Sequence, residues 1–365
     1  MKDRLVLFGA GERAKKFLCM YFPKKADLVF DNHKNGFFYG IKIERPRYIV
    51  NAFIIVACQY YLEVREQLLS LGYREFEDFI PEEIHGKKMA VMYGNCHAEL
   101  VKRYLMRNKF LSREYGFYPF PEIQNMREDL DYENILPQCA LFIDQAIRDS
   151  NRYGAKYASS AVANCLPETC KRVCIPNLYG LTKCFFPQSL GGGAAFSAYR
   201  ETNIERWYLE GKSKEQIVEK LLQGGIYSRE YIISLWEEFR DKLLMREEQW
   251  DIKISDYIFA HYKTEKLFND PNHISSGLAK EIAARTLGYL GYETRIPYVI
   301  PALDGFEMFI YKDVKEALEL EYEETYIRKY SRYLLMTETY VDLEEYVDQC
   351  YQGYAFLLSM DAEGK

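Results

Sequence analysis

The feature that most constrains the fold is a pattern that occurs twice: a short apolar strand runs into a glycine-containing turn, which opens a helix. The first copy joins a strand at residues 5–8 to a turn at 9–14, and the second joins a strand at 89–93 to a turn at 94–97. Strands that alternate with helices favour a parallel sheet, whose carboxyl edge is the usual binding edge. The pattern therefore predicts an α/β protein.

Composition excludes several classes of protein. A length of 365 residues suits about two domains, and a hydrophobic fraction of 48% excludes a disordered chain. The net charge of −6 argues against a nucleic-acid partner. We find no apolar run long enough for a transmembrane segment and no signal-peptide core at the N-terminus. These features predict a cytoplasmic protein, in which a local basic patch would suit a phosphorylated small molecule.

Composition shifts along the chain predict three regions. A polar segment with proline and glycine at residues 81–88 is typical of a linker, which sets a boundary between a domain at 1–86 and one at 87–300. The acidic, tyrosine-rich region at 301–365 predicts a helical extension that packs on the second domain.

The first glycine turn has the context of a nucleotide-binding site. Gly9 and Gly11 precede a helix whose N-terminus favours a phosphate, and Asp31 ends the next strand, where an acid can bind a ribose hydroxyl. A purely structural turn is the alternative. The segments 8–11, 30–32, 40–43 and 54–57 resemble the small Rossmann-like domain of PglD-type sugar acetyltransferases. That resemblance covers about residues 3–80 and implies a nucleotide-linked sugar as ligand.

The second turn carries the candidate nucleophile. Cys96 follows Gly94 and Asn95 at the start of a helix, where the helix dipole stabilises negative charge and favours a reactive thiolate. The remaining eight of the nine cysteines have irregular spacing, which predicts reduced packing residues and no metal site.

A thiol nucleophile requires a base, and the sequence has five histidines. His97 adjoins Cys96, but neighbours at a helix start point apart. His273 is the better candidate because Asp270, three residues earlier, is placed to orient its imidazole. A helix-capping acid beside a surface histidine is the alternative reading of this pair.

Two resemblances sharpen this prediction. Residues 270–273, followed by Ser276 and Gly277, look like the last block of SGNH-type (GDSL-like) hydrolases, and residues 94–96 take the place of their first block with cysteine for serine. Residues 94–97, 144–145, 175–178 and 186–187 are together similar to the WcbI-type polysaccharide-biosynthesis acyltransferase domain, over about residues 88–300. The resemblance implies an SGNH-like α/β domain with helix-rich insertions and C-terminal helices.

The WcbI-type resemblance also implies a function and a set of site residues. It implies transfer of an acyl group, acetyl as the first candidate, from coenzyme A to a sugar hydroxyl in capsule or polysaccharide biosynthesis. Cys96 is then the nucleophile, His273 the base and Asp270 its orienter, while Gln145 supplies a polar donor near the oxyanion. His97 departs from the WcbI-type motif, which has glutamine after the cysteine, and we expect it to act in the site. The implied coenzyme A contacts are Gly94, Asn95, Lys102, Arg103, Asn177 and Lys183.

Three alternatives stay open from the sequence. The same catalytic residues suit an esterase that removes acyl groups from a glycan. A non-catalytic nucleotide-sugar-binding protein would use only Gly9, Gly11 and Asp31. Lys102 and Arg103 also suit a solvated basic helix face.

Overall fold

The computed structural model describes residues 2–21, 26–126, 130–191, 199–300, 307–322, 327–330 and 338–363. The chain forms two compact units. One contains Met1–Tyr93, Met106–Ile143 and Asp149–Arg172, and the other contains Gly94–Leu105, Asp144–Arg148 and Val173–Lys365. Each unit is made of three separate segments of the chain. The predicted boundary at residue 87 instead assumes that each domain is one continuous segment. That boundary stays a prediction.

The first sheet has six strands in the order β3-β4-β2-β1-β5-β6, and it is parallel except for β3, which runs antiparallel to β4. The predicted strands at β1, β2 and β5 are confirmed, and their apolar side chains pack on helix α1 in a buried core. The strands and the two helices of this region are β1 (Arg4–Phe8), α1 (Glu12–Met20), β2 (Leu28–Phe30), β3 (Gly36–Phe38), β4 (Ile41–Glu44), β5 (Ala52–Val56), α2 (Tyr61–Ser70) and β6 (Phe79–Pro81).

The segment predicted as a linker is packed, so that prediction is wrong. Glu82–Ile84 form a turn of 3-10 helix, and Ile84 is buried. Arg13 Nε donates to Glu82 Oε1 at 2.6 Å, and the same guanidinium pairs with Glu83. The acidic residues that suggested a solvated linker therefore neutralise an arginine of α1.

The second sheet has four strands in the order β10-β9-β7-β8, with β7 and β8 parallel. The apolar runs at 139–143 and 173–176 predict strands, as the run at 89–93 does, and β7, β9 and β10 confirm all three. No local pattern predicts the short β8. This region contains β7 (Lys88–Tyr93), α3 (Cys96–Leu105), α4 (Leu111–Glu114), β8 (Tyr115–Phe117), α5 (Tyr132–Ile135), β9 (Cys139–Gln145), α6 (Ser159–Ala163) and β10 (Lys171–Ile175).

The rest of the chain is rich in helices, as its charge pattern predicts. Residues 212–215 predict a helix start with Ser213 as the N-cap. The structure confirms it, because Ser213 and Gln216 form a reciprocal capping box at the start of α8. The elements are β11 (Ser189–Gly191), β12 (Tyr199–Glu201), α7 (Thr202–Leu209), α8 (Lys214–Gln223), α9 (Arg229–Glu247), α10 (Ser255–His261), β13 (Phe268–Asp270), β14 (His273–Ile274), α11 (Ser276–Leu290), α12 (Lys312–Leu318), β15 (Ile327–Tyr330), β16 (Glu338–Val341) and α13 (Leu343–Glu363).

The C-terminal region is not wholly helical. The strands β15 and β16 pair antiparallel, so the prediction of a helical extension fails there. Residues 301–306, 323–326, 331–337 and 364–365 of that predicted extension lie outside the described residues. Within the described ranges, we find no helix that combines the length and apolarity needed to cross a membrane.

An aromatic cluster anchors the strand that leads into the Asp270 loop. Phe268 lies with its ring centroid 5.3 Å from Phe185 and 6.1 Å from Phe239, and Trp236 stacks on Phe239 at 5.2 Å. All four side chains are buried. Because Phe268 is held on α9 in this way, the position of Asp270 two residues later is set by the core.

Candidate functional site

The turn between β7 and α3 holds the candidate nucleophile. A Cβ on Gly94 would lie 2.5 Å from Gln145 Oε1 and 2.7 Å from the Cβ of Ala98, so the turn has room only for glycine. Asn95 Oδ1 accepts a hydrogen bond from His97 N at 2.9 Å. Cys96 is the first residue of α3, and its free thiol is half-buried.

Gln145 holds this turn in place. It is the last residue of β9 and is fully buried. Its Oε1 accepts from Asn95 N at 2.9 Å, and its Nε2 donates to the carbonyl of Pro176, also at 2.9 Å. The segments that leave β7 and β10 therefore meet on one carboxamide. These contacts give Gln145 a positioning role, and its service as an oxyanion donor stays a prediction.

Asp270 and His273 lie on a two-stranded hairpin formed by β13 and β14. Asp270 Oδ1 accepts from the backbone N–H of Asn272 at 2.8 Å and of His273 at 3.0 Å. Its Oδ2 accepts from His273 Nδ1 at 2.7 Å. Asp270 is buried and His273 is partly exposed. The carboxylate therefore fixes both the loop and the imidazole.

His97 connects the cysteine turn to this hairpin. Its Nε2 donates to the carbonyl of Asn272, and its ring centroid lies 6.2 Å from that of His273. Burial, with a smaller contribution from the charge of His273, lowers the pKa of His97 to about 4. His97 is therefore neutral near pH 7, and it positions the hairpin against α3.

Further contacts fix the hairpin from other sides. Thr182 Oγ1 donates to the carbonyl of Pro271 at 2.7 Å. Ser275 caps α11 by accepting from Leu278 N at 3.2 Å. The hydroxyl of Tyr104, on α3, donates to the carbonyl of Ser276 at 3.0 Å. No local pattern marks Thr182 or Tyr104, because their roles depend on contacts with residues far away in the chain.

Three of the predicted coenzyme A contacts are cations, and two of these three have a carboxylate nearby. Lys102 forms an ion pair with Glu99 on its own helix. The pKa of Glu238 is lowered by a hydrogen bond from Lys242, with a smaller effect from Lys183, so Lys183 also has a carboxylate nearby. Arg103 is half-buried on α3. The roles of these three cations stay predictions.

Asn177 has a structural task in the loop after β10. Its Nδ2 donates to the carbonyl of Ala146 at 3.2 Å, and its Oδ1 accepts from Tyr179 N at 3.2 Å. Arg246 donates to the carbonyls of both Asn177 and Tyr179. Sequence reasoning missed Arg246, because nothing near it in the chain marks it as part of a site.

The predicted nucleotide-binding turn in the first sheet is held by its own residues. Asp31 Oδ2 accepts from Ala10 N at 2.9 Å, while Oδ1 accepts from the N–H groups of His33 and Lys34. Gly9 has φ +112° and a Cβ there would lie 2.8 Å from the carbonyl of Ala57. Gly11 is the N-cap of α1. These backbone contacts account for glycine at position 9 and aspartate at position 31. The role of both residues in binding a nucleotide stays a prediction.

Four of the cysteines lie within a short stretch of the sequence, at residues 165, 170, 174 and 184. Across the described ranges, no three His, Cys, Asp or Glu side chains come close enough together to hold a metal ion. Cys184 is fully buried, and Cys170 lies beside Cys139.

The fold and site define an α/β protein with a cysteine at a helix start and an Asp–His pair held against that helix. A family model described as "Polysaccharide biosynthesis enzyme WcbI" matches residues 89–295, more than half of the chain. The chain therefore belongs to the WcbI family of polysaccharide biosynthesis enzymes.

A solved structure gives the same fold assignment. It is described as WcbI, a novel polysaccharide biosynthesis enzyme, in its native form without a disulfide bond between coenzyme A and one of its cysteines. It is 20% identical to this chain with a TM-score of 0.61, and the match covers 74% of this chain and 90% of that one. No curated protein matches this chain. The SGNH-type and PglD-type resemblances stay predictions.

Proposed function

We propose that this enzyme is a coenzyme A-dependent O-acyltransferase, which moves an acyl group, acetyl as the first candidate, to a sugar hydroxyl. The observation that carries the proposal is the hydrogen bond from His97 to Asn272, which holds the Asp270–His273 pair against the helix that begins at Cys96. Membership of the WcbI family supports a polysaccharide acceptor. The solved WcbI is described in terms of coenzyme A and one of its cysteines, in a form without a disulfide bond between them, which supports coenzyme A as the donor.

The hydrogen bond between His273 and Asp270 supports a specific division of the proton chemistry. His273 donates its Nδ1 proton to Asp270, which leaves the proton-accepting lone pair on Nε2. The buried carboxylate stabilises the imidazolium that forms when Nε2 takes a proton. This arrangement supports His273 as the proposed general base and Asp270 as the residue that orients it.

In the covalent route, Cys96 attacks the thioester carbonyl of the donor while His273 accepts the thiol proton and returns it to the leaving thiolate. The acyl group is then a thioester on Cys96. His273 next accepts the proton of the sugar hydroxyl, which attacks that thioester, and returns the proton to the sulfur of Cys96. Each step balances without a metal or an oxidant.

In the direct route, His273 deprotonates the sugar hydroxyl, which attacks the donor thioester without an acyl-enzyme. Cys96 then lines the site. Both routes need His273, so the presence of an acyl group on Cys96 distinguishes them.

The test combines calorimetric binding of coenzyme A with intact mass after incubation with acetyl-coenzyme A. We expect the intact enzyme to bind coenzyme A and to gain one acetyl mass, and Cys96→Ser to lose that gain. Cys165→Ser, at another half-buried cysteine, is the matched control and should behave as the intact enzyme. His273→Ala should bind coenzyme A but transfer no acyl group.

Two outcomes would contradict the proposal. If the intact enzyme does not bind coenzyme A, the transferase assignment fails. If it instead releases acetate from an acetylated glycan without coenzyme A, the enzyme is a deacylase that uses the same residues.

A further inference from the structure

One buried hydroxyl joins three segments of the chain around the candidate site. Tyr104 lies in the last turn of α3 and is fully buried. Its hydroxyl accepts from the backbone N–H of Ile300 at 2.8 Å and donates to the carbonyl of Ser276 at 3.0 Å. The carbonyl of Ile300 lies 3.3 Å from the same hydroxyl oxygen. A hydroxyl both donates and accepts, and this one does both with backbone groups.

Two of the segments that this hydroxyl joins carry the candidate nucleophile and base. The helix α3 begins at Cys96, and Ser276 is the first residue of α11, three residues after His273. The two helices pack on each other. A shift of α11 along α3 would therefore change the separation of Cys96 and His273.

His97 and Tyr104 hold this packing at two points on one face of α3. They are seven residues apart, which is about two turns and 10 Å along the helix axis, and both belong to its buried face. His97 bonds to the carbonyl of Asn272, before His273 in the chain, and Tyr104 bonds to that of Ser276, after it. Two separated contacts resist both sliding and pivoting, whereas one contact would leave the pivot free.

The bond from Ile300 fixes the hydroxyl before it meets α11. Ile300 is fully buried, and its N–H belongs to a segment, 292–300, that forms neither helix nor strand. A buried N–H of this kind needs a side-chain partner, which Tyr104 supplies. The ring of Tyr298 lies parallel to that of Tyr104, with the centroids 6.3 Å apart. The direction of the hydroxyl is therefore set by its own surroundings.

We propose that Tyr104 is a positioning residue for the reaction: its hydroxyl holds α11, and with it His273, at a fixed distance from Cys96. This inference rests on the proposed function, in which His273 accepts a proton from Cys96 or from the sugar hydroxyl. Such transfers are sensitive to placement, because the reacting groups must be held about 3–3.5 Å apart in the right direction.

The test variant is Tyr104→Phe, which keeps the ring and removes the hydroxyl. The matched control is Tyr73→Phe, in the other compact unit. Tyr73 is also buried, and its hydroxyl likewise accepts from an N–H, of Ile49 at 2.7 Å, and donates to a carbonyl, of Arg47 at 2.9 Å. Both variants lose the same kinds of bond, so a difference between them reports on where the hydroxyl lies.

The first measurement is the steady-state release of coenzyme A from acetyl-coenzyme A, with D-glucose and D-mannose as acceptor probes. We expect Tyr104→Phe to lower kcat at least about tenfold while the KM for acetyl-coenzyme A stays within about twofold, because the loss affects placement and not binding of the donor. Tyr73→Phe should leave both within about twofold. Equal losses of kcat in the two variants would reduce the hydroxyl to a general contribution to stability and overturn the proposal.

The second measurement reads the separation of the two residues without relying on activity. In the variant His273→Cys, a short reagent that joins two thiols should link positions 96 and 273, and peptide mass mapping gives the rate. We expect Tyr104→Phe, added to this variant, to slow the link at least about fivefold, and Tyr73→Phe to leave it within about twofold. A rate that Tyr104→Phe does not change, or no link between the two positions, would contradict the proposal.

The positioning role and the transferase function can fail separately. If the intact enzyme transfers acyl groups and Tyr104→Phe changes neither kcat nor the linking rate, the positioning role is wrong while the transferase function stands. If the intact enzyme does not bind coenzyme A but Tyr104→Phe slows the link, the transferase function fails and the positioning role stands. Where neither hexose serves as an acceptor, the linking rate alone decides.

Discussion

The imidazole of His97 donates a hydrogen bond to the backbone carbonyl of Asn272. This bond joins the residue after Cys96 to the residue before His273, although they lie far apart in the chain. When a nucleophile and a base come from distant segments of the chain, a contact of this kind fixes their relative positions. The donor of this bond, His97, is buried and neutral near pH 7.

We predict that Gly94→Ala destabilises the protein by about 1–3 kcal/mol, the usual cost of an overpacked site. The new methyl group would meet Gln145 Oε1 and the Cβ of Ala98. Urea unfolding measures the loss. Gly277→Ala is the control, since the nearest atom to its new Cβ is Ser275 Oγ at 3.7 Å. An equal loss in both variants would contradict the tight turn.

We predict that His97 makes stability depend on pH between about 4 and 6.5. Its pKa is about 4 in the folded state and 6.5 in the reference state, so the unfolded chain binds the extra proton in this window. Stability is therefore full above pH 6.5 and falls as the pH drops, by on the order of 3 kcal/mol. The measurement is the free energy of chemical unfolding as a function of pH. His97→Gln should remove its dependence on pH in this window, whereas His33→Gln, at an exposed histidine, should leave that dependence unchanged.

We predict that Asp270→Asn lowers the acyl-transfer rate by about 100-fold or more while the protein stays folded. The asparagine oxygen can still accept from the N–H groups of Asn272 and His273, but its amide would face Nδ1 of His273 and favour the wrong tautomer. Steady-state kinetics measure kcat. Unchanged coenzyme A affinity is the control, and an unchanged kcat would show that Asp270 only supports the loop.

We predict that Glu201→Gln stabilises the protein at pH 8 but has little effect at pH 4. Burial raises the pKa of Glu201 to about 7, although Tyr311 and the N–H of Ile204 donate to its carboxylate. The folded state therefore holds a proton that the unfolded chain has released, and stability falls between about pH 4.5 and 7. The gain at pH 8 is on the order of 3 kcal/mol by urea unfolding. Glu210→Gln, at an exposed position, should show no such gain.

The sequence predicts those parts of the fold that depend on local pattern. The apolar runs at β1, β5, β7 and β9 and the helix that Ser213 caps follow from periodicity and capping. The short strands β8 and β13, of three residues each, carry no periodicity of their own. The pairing of β15 with β16 was missed because tyrosine-rich, charged segments suit a helix as well as a hairpin.

The residues of the candidate site also divide into those that a local pattern predicts and those that it does not. Cys96 and the Asp270–His273 pair are visible because each lies in a short local motif. The task of Gln145 depends on two backbone partners, at Asn95 and Pro176, that no local pattern reveals. An arginine near a helix end is common, and the bonds of Arg246 to the carbonyls of Asn177 and Tyr179 join segments that lie far apart in the chain.

The side chain that fixes the cysteine turn is a carboxamide, which neither gains nor loses a proton in the range where proteins are folded. The shape of the turn held by Gln145 is therefore insensitive to acidity. The hairpin of His273 is attached through His97, whose protonation at low pH would set a positive charge beside His273. Acid should consequently separate the base from the nucleophile while the nucleophile's own turn keeps its form, so acid inactivation should precede any change at Cys96.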